Sequence, residues 1–325
     1  MTTGIYIHLR YDDRKDQPHE VNMGATADYI PKGKIKQFSS RSKFWGAWLV
    51  FHVWAVIFGS IALFAIFPNI LTFLFAFVMV GARQHGMTIL MHDCAHGILF
   101  RNKKVNDFVG YYILGAPYGG DMYSYRKYHL RHHRFTQSED DPDLPLSAKY
   151  PLSRASMTRK ILRDITGLTY LRLKLVQFKM KKGAIKIDGF DTFERRSPWP
   201  TLMTNLVLFL IFFAVGHPWL YLTLWLLPLV TIFFAIIRIR NIAEHALTTR
   251  DDNPLTHART THANLLARIF LAPYWVNYHV EHHAYMYVPC YNLKALHDEM
   301  GAAGQFKHME IRPNYGSVLR MAITK

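Results

Sequence analysis

"FWGAWLVFHVWAVIFGSIALFAIF", residues 44–67, holds no Lys, Arg, Asp or Glu. Pro68-Asn69 follows, then "ILTFLFAFVMVGA", 70–82, with apolar character running past Arg83 to Met91. A helix rises about 1.5 Å per residue, so roughly 20 apolar residues cross a bilayer core. The two-residue break leaves room only for a tight reversal, and the stretch reads as a helical hairpin. The pattern returns in "TLMTNLVLFLIFFAVG", 201–216, and, after His217-Pro218, in "WLYLTLWLLPLVTIFFAII", 219–237. A buried helix of a soluble protein rarely runs ~20 residues without a charge, and here such runs come in pairs. The fold class expected is all-α integral membrane: four transmembrane helices as two hairpins, with a cytoplasmic helical cap.

Half of the 325 residues are hydrophobic and 19 % are charged, but the two kinds are segregated along the chain. With spans at 44–67, 70–92, 201–216 and 219–237, 38 of the 39 Lys and Arg fall outside them on one side, Arg83 being the exception. The positive-inside rule then places residues 1–43, 93–200 and 238–325 in the cytoplasm, both termini included. The expected organisation is one domain over 1–325, with hairpins at 44–92 and 201–237. Trp45, Trp48, Trp199 and Trp219 stand near span ends, where interfacial aromatics belong. A net charge of +16 suits an anionic leaflet, and without zinc-finger spacing or an aromatic-rich basic module it does not point to nucleic acid. The polar start is not a signal peptide, and two cysteines on the cytoplasmic side, Cys94 and Cys290, suggest no disulfide.

Between the spans, 105–118 is apolar but too short to cross, and reads as an interfacial or re-entrant helix. Residues 154–182 read as one basic helix with nine Lys or Arg and an apolar stripe through Ile161, Ile165, Leu168 and Leu175. It lies either on the membrane surface or within the cap. Gly183 and Gly189 flank a turn-rich piece before the second hairpin. Arg83 is expected to face the bundle interior, and His52 to hydrogen-bond to another helix.

The 18 histidines are not scattered. His92 and His96, in "MHDCAHG", are four apart. His129, His132 and His133, in "YHLRHHR", follow H-x-x-H-H, and His279, His282 and His283, in "YHVEHHA", repeat it. Positions i, i+3 and i+4 share one helix face, so the rings of a group converge. Protonated histidines so close would repel and buried neutral ones would need partners; a metal answers both. His245, in "RNIAEHA", follows Asn241 by four residues just past the fourth span. Nine imidazoles exceed one metal's shell and fit two ions with four or five ligands each. Imidazole alone does not choose among Fe, Zn, Cu and Ni. The zincin H-E-x-x-H and the Glu-x-x-His of soluble di-iron bundles are both missing. A transporter or metal sensor would carry its ligands inside the spans, whereas these groups lie at or beyond the span ends.

"HDCAH", "HLRHH" and "YHVEHH", set around two hydrophobic hairpins, resemble the three histidine boxes of the membrane fatty acid desaturase and hydroxylase superfamily, over about 44–300. Asn241 and His245 resemble the element those proteins carry between the last hairpin and the third box. The resemblance implies a di-iron enzyme that uses O₂ and two electrons to place a double bond in an acyl chain carried by a lipid or coenzyme A. Matching positions imply as metal ligands His92, His96, His129, His132, His133, His245, His279, His282 and His283, with Asn241 acting through a water. Nothing carries over to His85, His257, His262 or His297. Asp93, Glu244 and Glu281 are expected to accept the outward ring N–H of ligating histidines, the alternative being salt bridges to Arg131 or Arg240. "EDDPD", 139–143, follows the second box and reads as a solvated loop, the alternative being that it reaches the cluster. Without a flavin, nicotinamide or HPGG heme motif, the electrons are expected from an external ferredoxin, rubredoxin or cytochrome b5. A hydroxylase or ketolase acting on lipids, carotenoids or sterols shares this architecture, and the mass of the product separates the two.

Overall fold

The computed structural model describes residues 29–31, 33–181 and 197–324. The polar start of the chain and the Gly183–Gly189 piece lie outside the described residues. Within them the protein is mostly helical, with four two-residue strands.

α1 (Trp45–Ile66) and α2 (Ile70–Ala95) are joined by a short reversal and pack against each other. Asn69 makes the reversal work: its side chain accepts from Leu71 N and Thr72 N, and Thr72 Oγ1 answers the Asn69 backbone N–H. The remaining main helices are α3 (Lys103–Phe108), α4 (Met122–Phe135), α5 (Arg154–Ile165), α6 (Leu168–Lys181), α7 (Trp199–Ala214), α8 (Tyr221–His245), α9 (Leu265–Phe270), α10 (His279–Ala284) and α11 (Leu293–Ala302). α3 runs on through a π-helical Val109–Gly115 into Ala116–Tyr118, so 105–118 is helical as expected. Strands β1 (Leu152–Ser153) and β4 (Ile323–Thr324) pair in parallel, as do β2 (Thr260–Thr261) and β3 (Ile311–Arg312).

Among the described residues, α1, α2 and α8 are long and apolar enough to cross a membrane. α7 has 16 residues, about 24 Å at 1.5 Å per residue, short of the ~30 Å core. α8 is kinked: it opens with a π-helical turn over Tyr221–Leu226, carries Pro228, and breaks helical geometry at Thr231 (φ −122°, ψ −94°). The helices pack through aromatic pairs and close approaches. Trp54 of α1 stacks on Trp225 of α8 at 5.8 Å. A Cβ on Gly81 of α2 would lie 2.4 Å from the Ile232 side chain. Outward faces of α1 and α7 stay apolar and exposed at Phe51, Ile66, Val207 and Phe213, as lipid-facing surfaces must.

The single helix expected over 154–182 is a correction. Gly167 adopts φ +78°, a left-handed conformation that ends α5 and restarts the chain as α6, and residue 182 lies outside the described residues. Ile161 packs on the core, while Ile165, Leu168 and Leu175 are exposed. α5 is tied to α8 by Asp164, which is fully buried and takes Arg238 Nη2 at 2.8 Å.

Arg83 is buried, donates to the Ile269 carbonyl and lies over the Tyr274 ring at 5.7 Å. His52 Nδ1 meets the Tyr274 hydroxyl at 3.0 Å, so its partner belongs to the third-box segment rather than to a membrane helix. Tyr274 and Trp275 both have positive φ (55° and 58°), a strained arrangement for bulky side chains. Tyr274 fits because Gly86 of α2 leaves space: a Cβ there would stand 2.7 Å from Tyr274 Cε2.

Candidate metal centre

Four chain segments bring the histidines together. His92 and His96 sit at the end of α2. Arg126 of α4 caps that end, giving Nε to the Ala95 carbonyl at 2.7 Å and Nη2 to the Cys94 carbonyl at 3.0 Å. α4 starts at Asp121, whose carboxylate accepts from Tyr123 N and Ser124 N. Its His129, His132 and His133 share a face. His245 ends α8, where the buried Arg259 reaches the Ile242 carbonyl at 3.3 Å and suits the negative helix terminus. His279, His282 and His283 lie on the six-residue α10.

The rings gather in two adjoining groups. In the first, His92, His96, His129, His133 and His282 offer ligand atoms within 4.8 Å of one another. His282 Nε2 is 3.0 Å from both His92 Nε2 and His133 Nε2, and His133 Nε2 is 3.0 Å from His129 Nε2. The second group holds His132, His245 and His283, with Glu244, His245 and His279 overlapping it. His245 Nε2 and His279 Nε2 are 2.8 Å apart, and His279 Nε2 and His283 Nε2 3.2 Å. The His133 and His283 rings join the groups, their centroids 4.4 Å apart.

The proton count shows what the groups lack. A neutral imidazole has one N–H. His245 Nδ1 lies 3.1 Å from the His257 carbonyl, which only accepts, so the proton is on Nδ1 and Nε2 is bare. His132 Nδ1 faces Asp141 Oδ1 at 2.8 Å and His92 Nδ1 faces Asp93 Oδ1 at 3.3 Å, with the same consequence. His283 Nδ1 meets Thr136 Oγ1 at 3.5 Å, and that hydroxyl already donates to the His132 carbonyl. His96 Nε2 is buried without a protein partner. Bare nitrogens therefore converge in a buried space, and a cation is what reconciles them.

Protons do not fill that role. Burial first, and then neighbouring histidines, push His129, His133, His279, His282 and His283 well below the ordinary histidine value. They are neutral imidazoles, the form that binds metal. For His132 burial acts downward, but the Asp141 hydrogen bond and the charges of Asp143, Asp141 and Glu244 raise it, which makes it a more basic ligand.

The acids divide three ways. Asp93 stands at Nδ1 of His92 and also accepts from Cys290 N at 2.8 Å. Glu244 accepts from Arg240, the alternative weighed for it, and its other oxygen lies 3.6 Å from the inward Nε2 of His279. Glu281 is a correction: its carboxylate turns away from the boxes to His297 Nδ1 and to Thr260 Oγ1 at 2.5 Å. Arg131 pairs instead with Asp140 at 3.5 Å. The loop at 139–143 is solvated only in part, with Glu139 and Asp140 exposed and Asp141 reaching the cluster. Asp141 is 4 % exposed and accepts from Gln137 N, Asp143 N and His132 Nδ1, each at 2.8 Å. Sequence reading also missed His297 and the His257 carbonyl. Neither carries a motif, because one acts through a buried acid and the other through its backbone.

Asn241, with Tyr125, His129, His132, Glu244, His245 and others, lines a cavity of about 30 Å³ beside the second group. That volume holds one or two waters, or a molecule of similar size, and not an acyl chain.

A family profile described as fatty acid desaturase matches residues 68–314, which takes in every histidine box. Among curated relatives, the sn-1 oleoyl-lipid 12-desaturase of Picosynechococcus sp. is 25 % identical over 251 residues, covering 74 % of this chain and 72 % of its own. The sn-1 oleoyl-lipid 12-desaturase of Anabaena variabilis is 26 % identical over 96 % of this chain and 91 % of its own. The dihydrorhizobitoxine desaturase of Bradyrhizobium elkanii is 25 % identical over 64 % of this chain and 62 % of its own. Long apolar helices, clustered imidazoles suited to a metal and a matching profile converge: the chain belongs to the fatty acid desaturase family, as an integral membrane oxidoreductase.

Proposed function

We propose that the chain introduces a double bond into an acyl chain lying in the bilayer, in an O₂-dependent reaction at two iron ions. His92, His96, His129, His133 and His282 would hold one ion, and His132, His245, His279 and His283 the other. Asn241, on the cavity wall, would hold a water beside it. The observation that carries the reading is the convergence of nine rings, six buried and three half-buried, into two groups whose inward nitrogens lie about 3 Å apart.

When bound, the metal supplies the oxygen activation needed to take hydrogen from an unactivated methylene, which no side chain can deprotonate. The chain's own residues prepare the site. Asp93, Asp141 and the His257 carbonyl fix ring tautomers, Arg126 and Arg259 hold two helix ends, and burial excludes bulk water.

The relatives named for lipid-bound oleoyl chains favour an acyl-lipid substrate, with acyl-CoA as the other carrier. α7 with its flanking residues would complete the second hairpin, giving four spans, a single domain over 1–325, and the site with both termini on the cytoplasmic side. Electrons would come from a ferredoxin, rubredoxin or cytochrome b5, steered by the basic face. The test is expression in a host of simple lipid content with a compatible reductase, followed by mass spectrometry of its fatty acids. Loss of two hydrogens supports desaturation and gain of one oxygen supports hydroxylation. Profiles identical to those of a His282→Ala, His283→Ala control overturn the reading.

A further inference from the structure

Glu244 is placed differently from the other acids of the site. A carboxylate that orients a metal ligand approaches the ring's outward nitrogen, as Asp141 does with His132 Nδ1. Glu244 approaches an inward one. Its Oε1 is taken by Arg240 Nε one helical turn away, and this turns Oε2 to within 3.6 Å of His279 Nε2. Glu244, His245 and His279 thus form a ligand group of their own, fully inside the protein, with donor atoms within 4.8 Å.

His279 Nε2 faces three acceptors: His245 Nε2 at 2.8 Å, His283 Nε2 at 3.2 Å and Glu244 Oε2 at 3.6 Å. One N–H on His279 could satisfy only one of them, leaving the others confronting each other without a donor. A cation among these atoms satisfies all four. Charge argues the same way, because nine neutral imidazoles offset none of the charge of two buried cations. The carboxylates of Asp93 and Asp141 act only through the far side of a ring. Glu244 is the acid among the described residues that reaches the inward face.

We propose that Glu244 is a direct carboxylate ligand of the ion held by His132, His245, His279 and His283. One metal position is then all-imidazole and the other mixed imidazole and carboxylate, with Arg240 as the residue that positions the carboxylate. This rests on the two-metal reading above and goes beyond it.

The test loads the full-length protein in detergent with ⁵⁷Fe(II) and reads iron per chain, Mössbauer spectra and iron retention against a graded chelator. Wild type should hold two irons with two distinct quadrupole doublets of equal area. In Glu244→Gln one iron should be held at least about tenfold more weakly and one doublet should change or vanish, with the other unaltered. Glu244→Asp should fall between. A Glu244→Gln protein with two irons, both doublets and wild-type retention overturns the proposal. Fewer than two irons in the wild type overturns the two-metal reading instead. If Glu244→Gln fails to fold, infrared difference spectra of wild type carrying ¹³C-labelled glutamate decide: a carboxylate band that shifts on iron loading supports direct ligation, and its absence refutes it.

Discussion

Replacing Asp141 with asparagine tests how the site is held. The carboxylate is buried and takes three donors: His132 Nδ1 and Asp143 N on Oδ1, and Gln137 N on Oδ2, all at 2.8 Å. Asparagine keeps the shape but turns one oxygen into a donor. With the amide oxygen toward His132, Gln137 N–H faces an NH₂; with the amide reversed, two donors do. The first orientation wins, since it strands one buried donor at about 1–3 kcal/mol instead of two. Bonds to a charged acceptor contribute about 1.5–3 kcal/mol against 0.5–1.5 for a neutral one, so each surviving bond also weakens by about 1 kcal/mol. The metal-free protein should therefore lose about 3–5 kcal/mol. The neutral amide oxygen still accepts from His132 Nδ1 but no longer makes that ring more basic, so metal bound by the second group should weaken by about 10–100-fold. Denaturation of the metal-free protein and iron retention against a chelator read the two effects. A variant within about 0.5 kcal/mol of wild type that also retains iron equally well would refute the assignment of Asp141 as the anchor of His132.

Three further outcomes follow from the same geometry. The metal-free fold keeps His129, His133, His279, His282 and His283 neutral, whereas the unfolded chain takes up protons near pH 6.5; below that pH the unfolded state binds more protons and stability falls, by about 1.4 kcal/mol per pH unit for each histidine. Denaturation at graded pH should thus be flat above neutrality and steep below, and constant stability through pH 5.5 would contradict it. Gly86→Ala should cost about 1–3 kcal/mol, because the new Cβ would meet Tyr274 Cε2 at 2.7 Å and that ring is held by His52 and Arg83; an unchanged thermal midpoint would refute the close fit. His282→Ala, which removes the nitrogen 3.0 Å from both His92 and His133, should weaken metal binding by the five-ring group and leave that of the other group. Metal content and retention equal to wild type in that variant would refute the grouping.

The first hairpin was legible because its uncharged runs and the Pro68-Asn69 break are one-dimensional signals, and the histidine groups because i, i+3, i+4 spacing marks a helix face. The corrections have a common origin in direction, which composition does not record. Glu281 lies between ligand positions in sequence, but its carboxylate is held by His297 and Thr260 instead. "EDDPD" reads as solvated because acids usually are; Asp141 is buried because two backbone N–H groups and His132 surround it. Gly167 resembles any glycine in a helical pattern until its positive φ is known. The sequence leads one to expect two sets of four or five rings, but not which ring belongs to which set or that Glu244 stands with one of them.

α10, which carries the third box, is six residues long. An isolated helix of that length does not persist in water, since nucleation costs more than so few bonds return. Its position is borrowed through Tyr274, pinned between His52 of α1 and Arg83 and Gly86 of α2. Ribosomal synthesis delivers that hairpin some two hundred residues before its client arrives. Biogenesis therefore has a built-in sequence: the membrane anchor matures first and serves as the mould on which the last-made histidines set. A lesion in the anchor far from any ring would show itself as an enzyme that is made and inserted, but binds metal poorly.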